Sequence, residues 1–215
     1  MIRPLSFLQP VAGDGPFVAV GAVSVGTDAA DPSAQESAPR GSGFLVNRSA
    51  LVTAAHVVLH AGSGEPYESI SVDVGSQRLW AWRVAVDSLY QSGPGYRADA
   101  DLAVLALVGE ACTDQDVIAA SPIADGAKLS CVIRSGRDAF GPPVNVSSTR
   151  HGAWLEYASQ DLRGYSGAPV LAAKNPRRAV GVHVWYTGSF EGRAIVLDDA
   201  TVSSAIDALN SGSNA

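Results

Sequence analysis

The hydrophobic residues of this chain fall mostly into short runs without helical spacing, which is typical of a protein built from β-strands. Alternation with period two marks residues 69 to 74 and parts of 79 to 86 as half-buried strands. Polar, glycine-containing and proline-containing stretches separate such runs, for example at residues 27 to 40 and 91 to 100. The pattern therefore predicts an all-β fold with many loops.

The remaining elements are predicted in the same way. A first strand is expected at 17 to 25, a hairpin at 43 to 46 and 50 to 53, a short helical turn from 57 to 60, and later strands at 101 to 108, 129 to 133, 143 to 147, 153 to 158, 168 to 173, 180 to 185 and 194 to 197. Helical spacing of apolar residues occurs near the C-terminus, at 202, 205, 206 and 209. It predicts a closing helix that Thr201 or Asp199 could cap.

One stretch does not fit a strand interior, Gly164-Tyr165-Ser166-Gly167-Ala168-Pro169. Glycine weakens a strand, and proline cannot donate a hydrogen bond to a neighbouring strand. Apolar, strand-like segments flank the stretch on both sides. We therefore expect a bend on a rigid scaffold that presents the Ser166 hydroxyl, as a nucleophile requires.

A serine hydroxyl is a weak nucleophile, so this interpretation needs a base and a group that orients the base. His56 lies in an apolar run, and Asp101 lies at the start of another. Taken singly, these residues would more often be a core histidine, a strand-start aspartate and a turn serine, and Asp99 is a rival for Asp101. The chain order His, Asp, Ser is the one used by the chymotrypsin-type double barrel.

Five motifs of the sequence occur in the order in which trypsin-like, chymotrypsin-fold serine peptidases carry their landmark motifs. They are Gly41-Ser42-Gly43-Phe44-Leu45-Val46, Thr53-Ala54-Ala55-His56, Asp101-Leu102-Ala103-Val104-Leu105, the Ser166 stretch, and Gly181-Val182-His183-Val184-Trp185. The resemblance covers roughly residues 16 to 210. It is strongest to the bacterial branch that includes glutamyl endopeptidases, because His183 stands where those enzymes carry a pocket histidine.

The resemblance implies an all-β fold of two six-stranded antiparallel β-barrels followed by a short C-terminal helix. It implies one domain over 1 to 215, with the first barrel at about 16 to 108, a connection at 109 to 128, and the second barrel and helix at about 129 to 210. It also implies a serine endopeptidase that works through an acyl-enzyme. Ser166 would attack the peptide carbonyl, His56 would carry the proton, and Asp101 would hold the imidazole in its productive tautomer.

The same resemblance assigns an oxyanion hole and a specificity pocket. The backbone N–H groups of Gly164 and Ser166 would form the oxyanion hole. The pocket walls would come from residues 159 to 163 and 183 to 186, with Gln160, Asp161, His183, Val184 and Trp185 as substrate-binding residues. Asp161 favours Lys or Arg at the residue before the scissile bond (P1), whereas His183 favours Glu. We expect a basic P1 residue, with Glu or a small apolar residue as alternatives. Two other arrangements are open: Asp161 and His183 could pair with each other, or His183 could be a buried strand histidine bonded to a neighbour.

The composition limits the partners of this chain. Its 215 residues are 47% hydrophobic and carry a net charge of −6. This charge and the lack of Lys/Arg runs argue against nucleic acid or an anionic membrane as partner, and no apolar run is long enough to cross a bilayer. The expected partner is a protein or peptide substrate, with no metal and no cofactor.

The cysteines and the N-terminal sequence bear on the cellular compartment. Cys112 and Cys131 could form a disulfide, but two unpaired thiols in a reducing compartment suit so sparse a usage better. The first ten residues contain two prolines and no continuous apolar core, so we expect no secretory signal and a cytoplasmic location. His60 and His151 are expected at the surface, His151 in a polar turn.

Tyr165 precedes the expected nucleophile, where zymogen-activated relatives carry an aspartate that pairs with a newly cut N-terminus. Regulation is therefore expected through loop ordering, a partner protein or an inhibitor and not through N-terminal cleavage. The alternative function is a catalytically silent barrel that binds peptides or acts as a scaffold. An α/β-hydrolase is disfavoured because the chain lacks a glycine two residues after Ser166 and does not place its acid in the expected order.

Overall fold

The computed structural model describes residues 20–26, 39–61, 63–74, 77–87, 90, 98–110, 117–136, 143–158, 162–187 and 191–210. The strands are β1 (Val20–Gly26), β2 (Pro39–Asn47), β3 (Ala50–Thr53), β4 (Ser69–Val74), β5 (Gln77–Val86), β6 (Ala103–Leu107), β7 (Ala119–Ala120), β8 (Lys128–Ile133), β9 (Val144–His151), β10 (Trp154–Ala158), β11 (Pro169–Ala172), β12 (Asn175–Thr187) and β13 (Glu191–Val196). Two α-helices are described, α1 (Ala55–Val58) and α2 (Asp199–Asn210), together with a 3₁₀ turn, Ala98–Ala100. No helix of the described ranges is long and apolar enough to cross a membrane.

The first six strands form a closed barrel in the order β1-β2-β3-β6-β5-β4. All of its strand pairs are antiparallel. Strands β3 and β6 are buried on both faces along their whole length, and Phe44, Leu51 and Leu105 are fully buried. Closure leaves this sheet without a free edge, so its backbone groups are paired within the barrel.

The second barrel follows the order β11-β8-β9-β10-β13-β12, and the pairing of β11 with β12 closes the ring. The two-residue strand β7 joins β12 from outside in a parallel pairing. Leu155, Val170 and Ile133 are fully buried in its interior. The prediction of two six-stranded antiparallel barrels with a short C-terminal helix is confirmed.

The connection between the barrels contacts both of them. The N–H of Ile118 donates to the carbonyl of Leu45 on β2 at 2.8 Å, and the N–H of Ser121 donates to the carbonyl of Ala179 on β12 at 2.9 Å. Helix α2 returns to the first barrel, packs against β5 and β6, and accepts a hydrogen bond from Arg83 at the carbonyl of Leu209. Contacts of this kind tie the two barrels into one packed unit.

Three local expectations were wrong in detail. Helix α1 begins at Ala55, two residues before the expected turn, and β9 extends to His151, so the turn there is made by Gly152 at φ +58°. The N-cap of α2 is Asp198, whose Oδ1 accepts the N–H of Thr201 at 2.7 Å. This bond is the main reason that the pKa of Asp198 lies below its usual value.

The other histidine and cysteine expectations have mixed outcomes. His151 is exposed, as expected, but His60 is half-buried and stacks on Tyr67 with ring centroids 3.8 Å apart. Cys131 is a buried free thiol whose Sγ lies 3.3 Å from Oγ of Ser148. Cys112 lies outside the described residues.

Candidate active site

Strand pairing in the first barrel brings His56 and Asp101 together. His56 lies on α1, directly after β3, and Asp101 follows the 3₁₀ turn and precedes β6. Because β3 and β6 are paired, with Thr53 opposite Ala103, the chain leaves β3 where it enters β6. The two side chains therefore meet at one end of the barrel.

Both oxygens of the Asp101 carboxylate bind His56. Oδ2 lies 2.6 Å from the imidazole Nδ1, and Oδ1 accepts the backbone N–H of His56 at 2.8 Å. The carboxylate is completely buried, whereas about a third of the histidine side chain is exposed, 34%. An acceptor at Nδ1 places the ring hydrogen there and leaves Nε2 as the basic nitrogen. The rival Asp99 lies within the 3₁₀ turn and is half-buried.

The stretch around Ser166 forms a tight bend, as expected from its glycines. Gly164 and Gly167 adopt φ values of +85° and +82°, which side chains rarely tolerate. The N–H of Ala168 donates to the carbonyl of Tyr165 at 2.8 Å, and the N–H of Gly167 donates to the carbonyl of His183 at 2.7 Å. The bend is thus fixed both internally and to β12.

The Gly41-Ser42-Gly43 motif of β2 packs directly against this bend. The N–H of Ser42 donates to the carbonyl of Ser166 at 2.7 Å. A Cβ at Gly41 would lie 2.6 Å from the same carbonyl oxygen, and a Cβ at Gly167 would lie 2.0 Å from the carbonyl oxygen of Ser42. Glycine is required at both positions because the two barrels approach each other backbone to backbone.

The backbone N–H groups of Gly164 and Ser166 are available as donors. Among the described residues, no hydrogen-bond acceptor is paired with either group. Tyr165 lies between them with its ring buried, and burial raises the pKa of its hydroxyl. Two unused N–H groups beside a serine can bind a developing oxyanion.

A cavity of about 530 Å³ joins these residues. It is lined by His56, Leu162, Arg163, Gly164, Ser166, His183, Val184 and Trp185. His56 and Ser166 thus face the same space, although they come from different barrels. Of the expected pocket residues, His183, Val184 and Trp185 line this cavity, whereas Gln160 and Asp161 lie outside the described residues.

His183 is both a buried strand histidine and a wall of the cavity. It is 1% exposed, and its Nδ1 lies 2.5 Å from the hydroxyl oxygen of Tyr157 on β10. Burial, with a smaller contribution from the nearby His56, lowers the pKa of His183 to about 3. Its imidazole is therefore neutral near pH 7 and carries a single N–H.

Solved structures similar to this chain include serine peptidases. A Glu endopeptidase structure superimposes with a TM-score of 0.69 at 16% identity and covers 94% of this chain and 96% of its own. Mouse neuropsin gives a TM-score of 0.64 at 14% identity and covers 95% and 97%, and a human pathogenic astrovirus serine protease gives 0.53 at 22% and covers 85% and 91%. No protein-family model matches the sequence, and no curated protein is similar to it at a significant level. The chain has the chymotrypsin fold.

Two residues of this chymotrypsin-fold site were missed by the sequence interpretation. Ser42 was predicted only as part of a motif, although its N–H, carbonyl and hydroxyl groups all form hydrogen bonds. Its carbonyl accepts a hydrogen bond from the Thr53 hydroxyl at 2.7 Å, and its Oγ accepts one from the N–H of Gly136 at 3.0 Å. Tyr157 was placed in a strand without a role. Successive side chains of a strand lie on opposite faces, so Tyr157 lies on the same face as Leu155, which is buried. This alternation is the signal that predicts an inward-facing Tyr157.

Proposed function

We propose that this protein is a serine endopeptidase that cleaves peptide bonds through Ser166, His56 and Asp101. The observation that carries the proposal is the pair of hydrogen bonds between Asp101 and His56, at 2.6 and 2.8 Å, together with the cavity that His56 shares with Ser166. A carboxylate on Nδ1 leaves Nε2 as the base that a serine nucleophile needs. The shared fold with solved serine peptidases supports the same reaction class.

In this mechanism Nε2 of His56 takes the proton of the Ser166 hydroxyl as the oxygen attacks the peptide carbonyl. The N–H groups of Gly164 and Ser166 stabilise the oxyanion, and His56 then protonates the leaving amine. The acyl-enzyme at Ser166 is hydrolysed by water, which His56 activates in the same way. Asp101 stabilises the imidazolium form of His56 in both halves of the reaction, without itself taking a proton.

The P1 preference depends on which side chains meet the substrate in the cavity. The expectation of Lys or Arg rests on Asp161, which lies outside the described residues. The described walls contain no carboxylate, and their hydrogen-bond donors include the side chains of His183, Arg163 and Trp185. These walls favour a P1 side chain with a hydrogen-bond acceptor, so we propose Glu first, then Gln, over a basic or small apolar residue. The name of the Glu endopeptidase neighbour agrees with this choice.

Regulation is proposed to act without N-terminal cleavage. Tyr165 is buried between the two oxyanion donors and is held in place by packing, where a zymogen-activated enzyme would carry an aspartate. A buried phenol therefore stands where such an enzyme has a carboxylate that pairs with a new N-terminus. Control by a partner protein or by an inhibitor at the cavity is consistent with this arrangement.

The proposal is tested with a fluorophosphonate probe on the purified full chain, with the labelled residue identified by mass spectrometry. Labelling at Ser166 that is lost in Ser166→Ala and strongly slowed in Asp101→Asn supports an assembled triad and oxyanion hole. Absence of labelling in a folded protein would favour the silent peptide-binding or scaffold module. A P1 library with a fluorogenic leaving group then separates Glu and Gln from Lys, Arg and Ala.

A further inference from the structure

A buried hydrogen bond behind the cavity connects Tyr157 to His183. Tyr157 is 4% exposed and His183 is 1% exposed, and their hydroxyl oxygen and Nδ1 are 2.5 Å apart. His183 lines the cavity, whereas Tyr157 is not among its described lining residues. Tyr157 therefore reaches the cavity only through the imidazole of His183.

The position of Tyr157 is set by close packing. A Cβ at Gly192 on β13 would lie 2.3 Å from Cε2 of the tyrosine ring, so only glycine leaves room for it. The strands β10 and β12 that carry the two residues both pair with β13. The hydroxyl is thus held at Nδ1 by the sheet itself.

The direction of the hydrogen bond follows from the hydrogens available. Burial raises the pKa of Tyr157 well above its usual value, with a smaller contribution from Cys131, so the phenol keeps its hydrogen. Among the described residues, His183 is the one hydrogen-bond partner of this hydroxyl. If Nδ1–H were the donor, the phenolic hydrogen would be left buried without an acceptor, which is costly. The hydroxyl therefore donates to Nδ1.

A neutral imidazole carries one hydrogen, so this bond places it on Nε2. Nε2 has no hydrogen-bond partner among the described residues. It is the polar ring atom with which His183 can meet a bound side chain. Among the described residues, the charged or titratable groups near the pair include His56 and Arg163, which line the same cavity, and Cys131 inside the barrel.

We propose that Tyr157 is a positioning residue that holds His183 in the Nε2–H tautomer, so that His183 presents a hydrogen-bond donor to the P1 side chain. This inference rests on the proposed peptidase function. It makes Tyr157 a determinant of P1 selectivity that contacts neither the substrate nor the reacting atoms. Its loss should weaken recognition of an acceptor at P1 and leave the chemistry at Ser166 unchanged.

The test compares Tyr157→Phe, which removes the hydroxyl and keeps the ring, with Ser148→Ala, a buried hydroxyl of the same barrel that does not bond His183. Peptide substrates differ only at P1, with Glu, Gln or Ala. In Tyr157→Phe we expect kcat/KM for P1 Glu and Gln to fall about tenfold through KM, as for one lost hydrogen bond to a binding group. The P1 Ala substrate and the rate of fluorophosphonate labelling should change less than about twofold, and Ser148→Ala should keep the wild-type P1 profile.

A second measurement reads the tautomer directly. Long-range proton–nitrogen NMR of the full chain should show His183 as the Nε2–H form in the wild type and a mixture or the Nδ1–H form in Tyr157→Phe. An Nδ1–H wild type, a preference for Arg or Lys in the fluorogenic P1 library, or an equal loss on the Glu, Gln and Ala substrates would overturn the inference. If the wild type is not labelled by fluorophosphonate, the peptidase proposal fails, and the NMR result still decides whether Tyr157 sets the tautomer.

Discussion

The carbonyl of Ser166 accepts the backbone N–H of Ser42 at 2.7 Å, so the expected nucleophile is hydrogen-bonded through its own main chain to a strand of the opposite barrel. Ser42 in turn accepts the N–H of Gly136 at Oγ and the hydroxyl of Thr53 at its carbonyl. The position of Ser166 relative to His56 is therefore set by backbone contacts between the barrels. A substitution at this junction should therefore lower peptidase activity more than it disturbs the folding of either barrel.

Gly167→Ala should abolish activity and destabilise the fold. The position needs φ +82°, and a Cβ would lie 2.0 Å from the carbonyl oxygen of Ser42. We expect the free energy of unfolding to fall by more than about 2 kcal/mol, because the clash adds to the left-handed strain. Chemical denaturation and fluorophosphonate labelling measure the two effects.

Gly152→Ala is the matched control for this change. It has a similar φ of +58°, but no atom lies within 4 Å of the added Cβ. It should cost about 1 kcal/mol from backbone strain and leave labelling at the wild-type rate. Equal losses in the two variants would show that the approach of Ser42 to Gly167 is not what makes glycine necessary.

Asp101→Asn should lower kcat by about 10⁴-fold while the protein stays folded, because an amide no longer enforces the hydrogen on Nδ1 of His56. Asp99→Asn, two residues away in the 3₁₀ turn, should retain activity within a few fold. Peptide hydrolysis and circular dichroism of both variants check this prediction. A comparable loss of kcat in Asp99→Asn would indicate that the Asp99 carboxylate, and not that of Asp101, orients His56.

The buried His183 should make folding stability depend on pH. Its folded pKa is about 3, below the ordinary value of 6.5, so the unfolded chain binds a proton between these values that the folded chain does not. Stability should therefore fall as the pH is lowered from about 6.5 towards 3, with uptake of up to about one proton on unfolding. Urea unfolding across this range should show a smaller slope for His183→Gln than for the wild type; an unchanged slope would contradict a neutral, buried His183.

Asp198→Ala should lower the free energy of unfolding by about 1 kcal/mol, because the N–H of Thr201 loses its cap. Since the pKa of Asp198 is lowered in the folded state, this contribution is present above its unfolded pKa and is lost as the pH falls through the folded value. Asp199→Ala removes the neighbouring carboxylate, which lies in the first turn of α2, and should cost less. Thermal unfolding of Asp198→Ala and Asp199→Ala at pH 7 and pH 3 compares the two variants. Equal losses of stability would mean that negative charge near the helix end, and not the cap hydrogen bond, stabilises α2.

Several parts of the site were readable from local sequence because they depend on local rules. Glycines around Ser166 predicted the bend, and the positive φ values of Gly164 and Gly167 agree with it. Short apolar runs predicted strands whose ends were shifted by a few residues, as at His151, because strand ends depend on the partner strand. The helix cap was predicted at Thr201 or Asp199 but is Asp198, since Asp198 and Asp199 are chemically equivalent and backbone geometry alone selects between them.

The sequence by itself determined the kinds of groups present, their order along the chain and the strand-like runs, and the resemblance of its motifs to a known family implied the two barrels. The tertiary structure decided which of them meet, because strand pairing joins residues that are far apart in the chain. It put His56 on the Asp101 carboxylate, Ser42 on the main chain of Ser166, and the Tyr157 hydroxyl on Nδ1 of His183. Burial then made His183 neutral, which no local pattern specifies because desolvation depends on everything that packs around the ring.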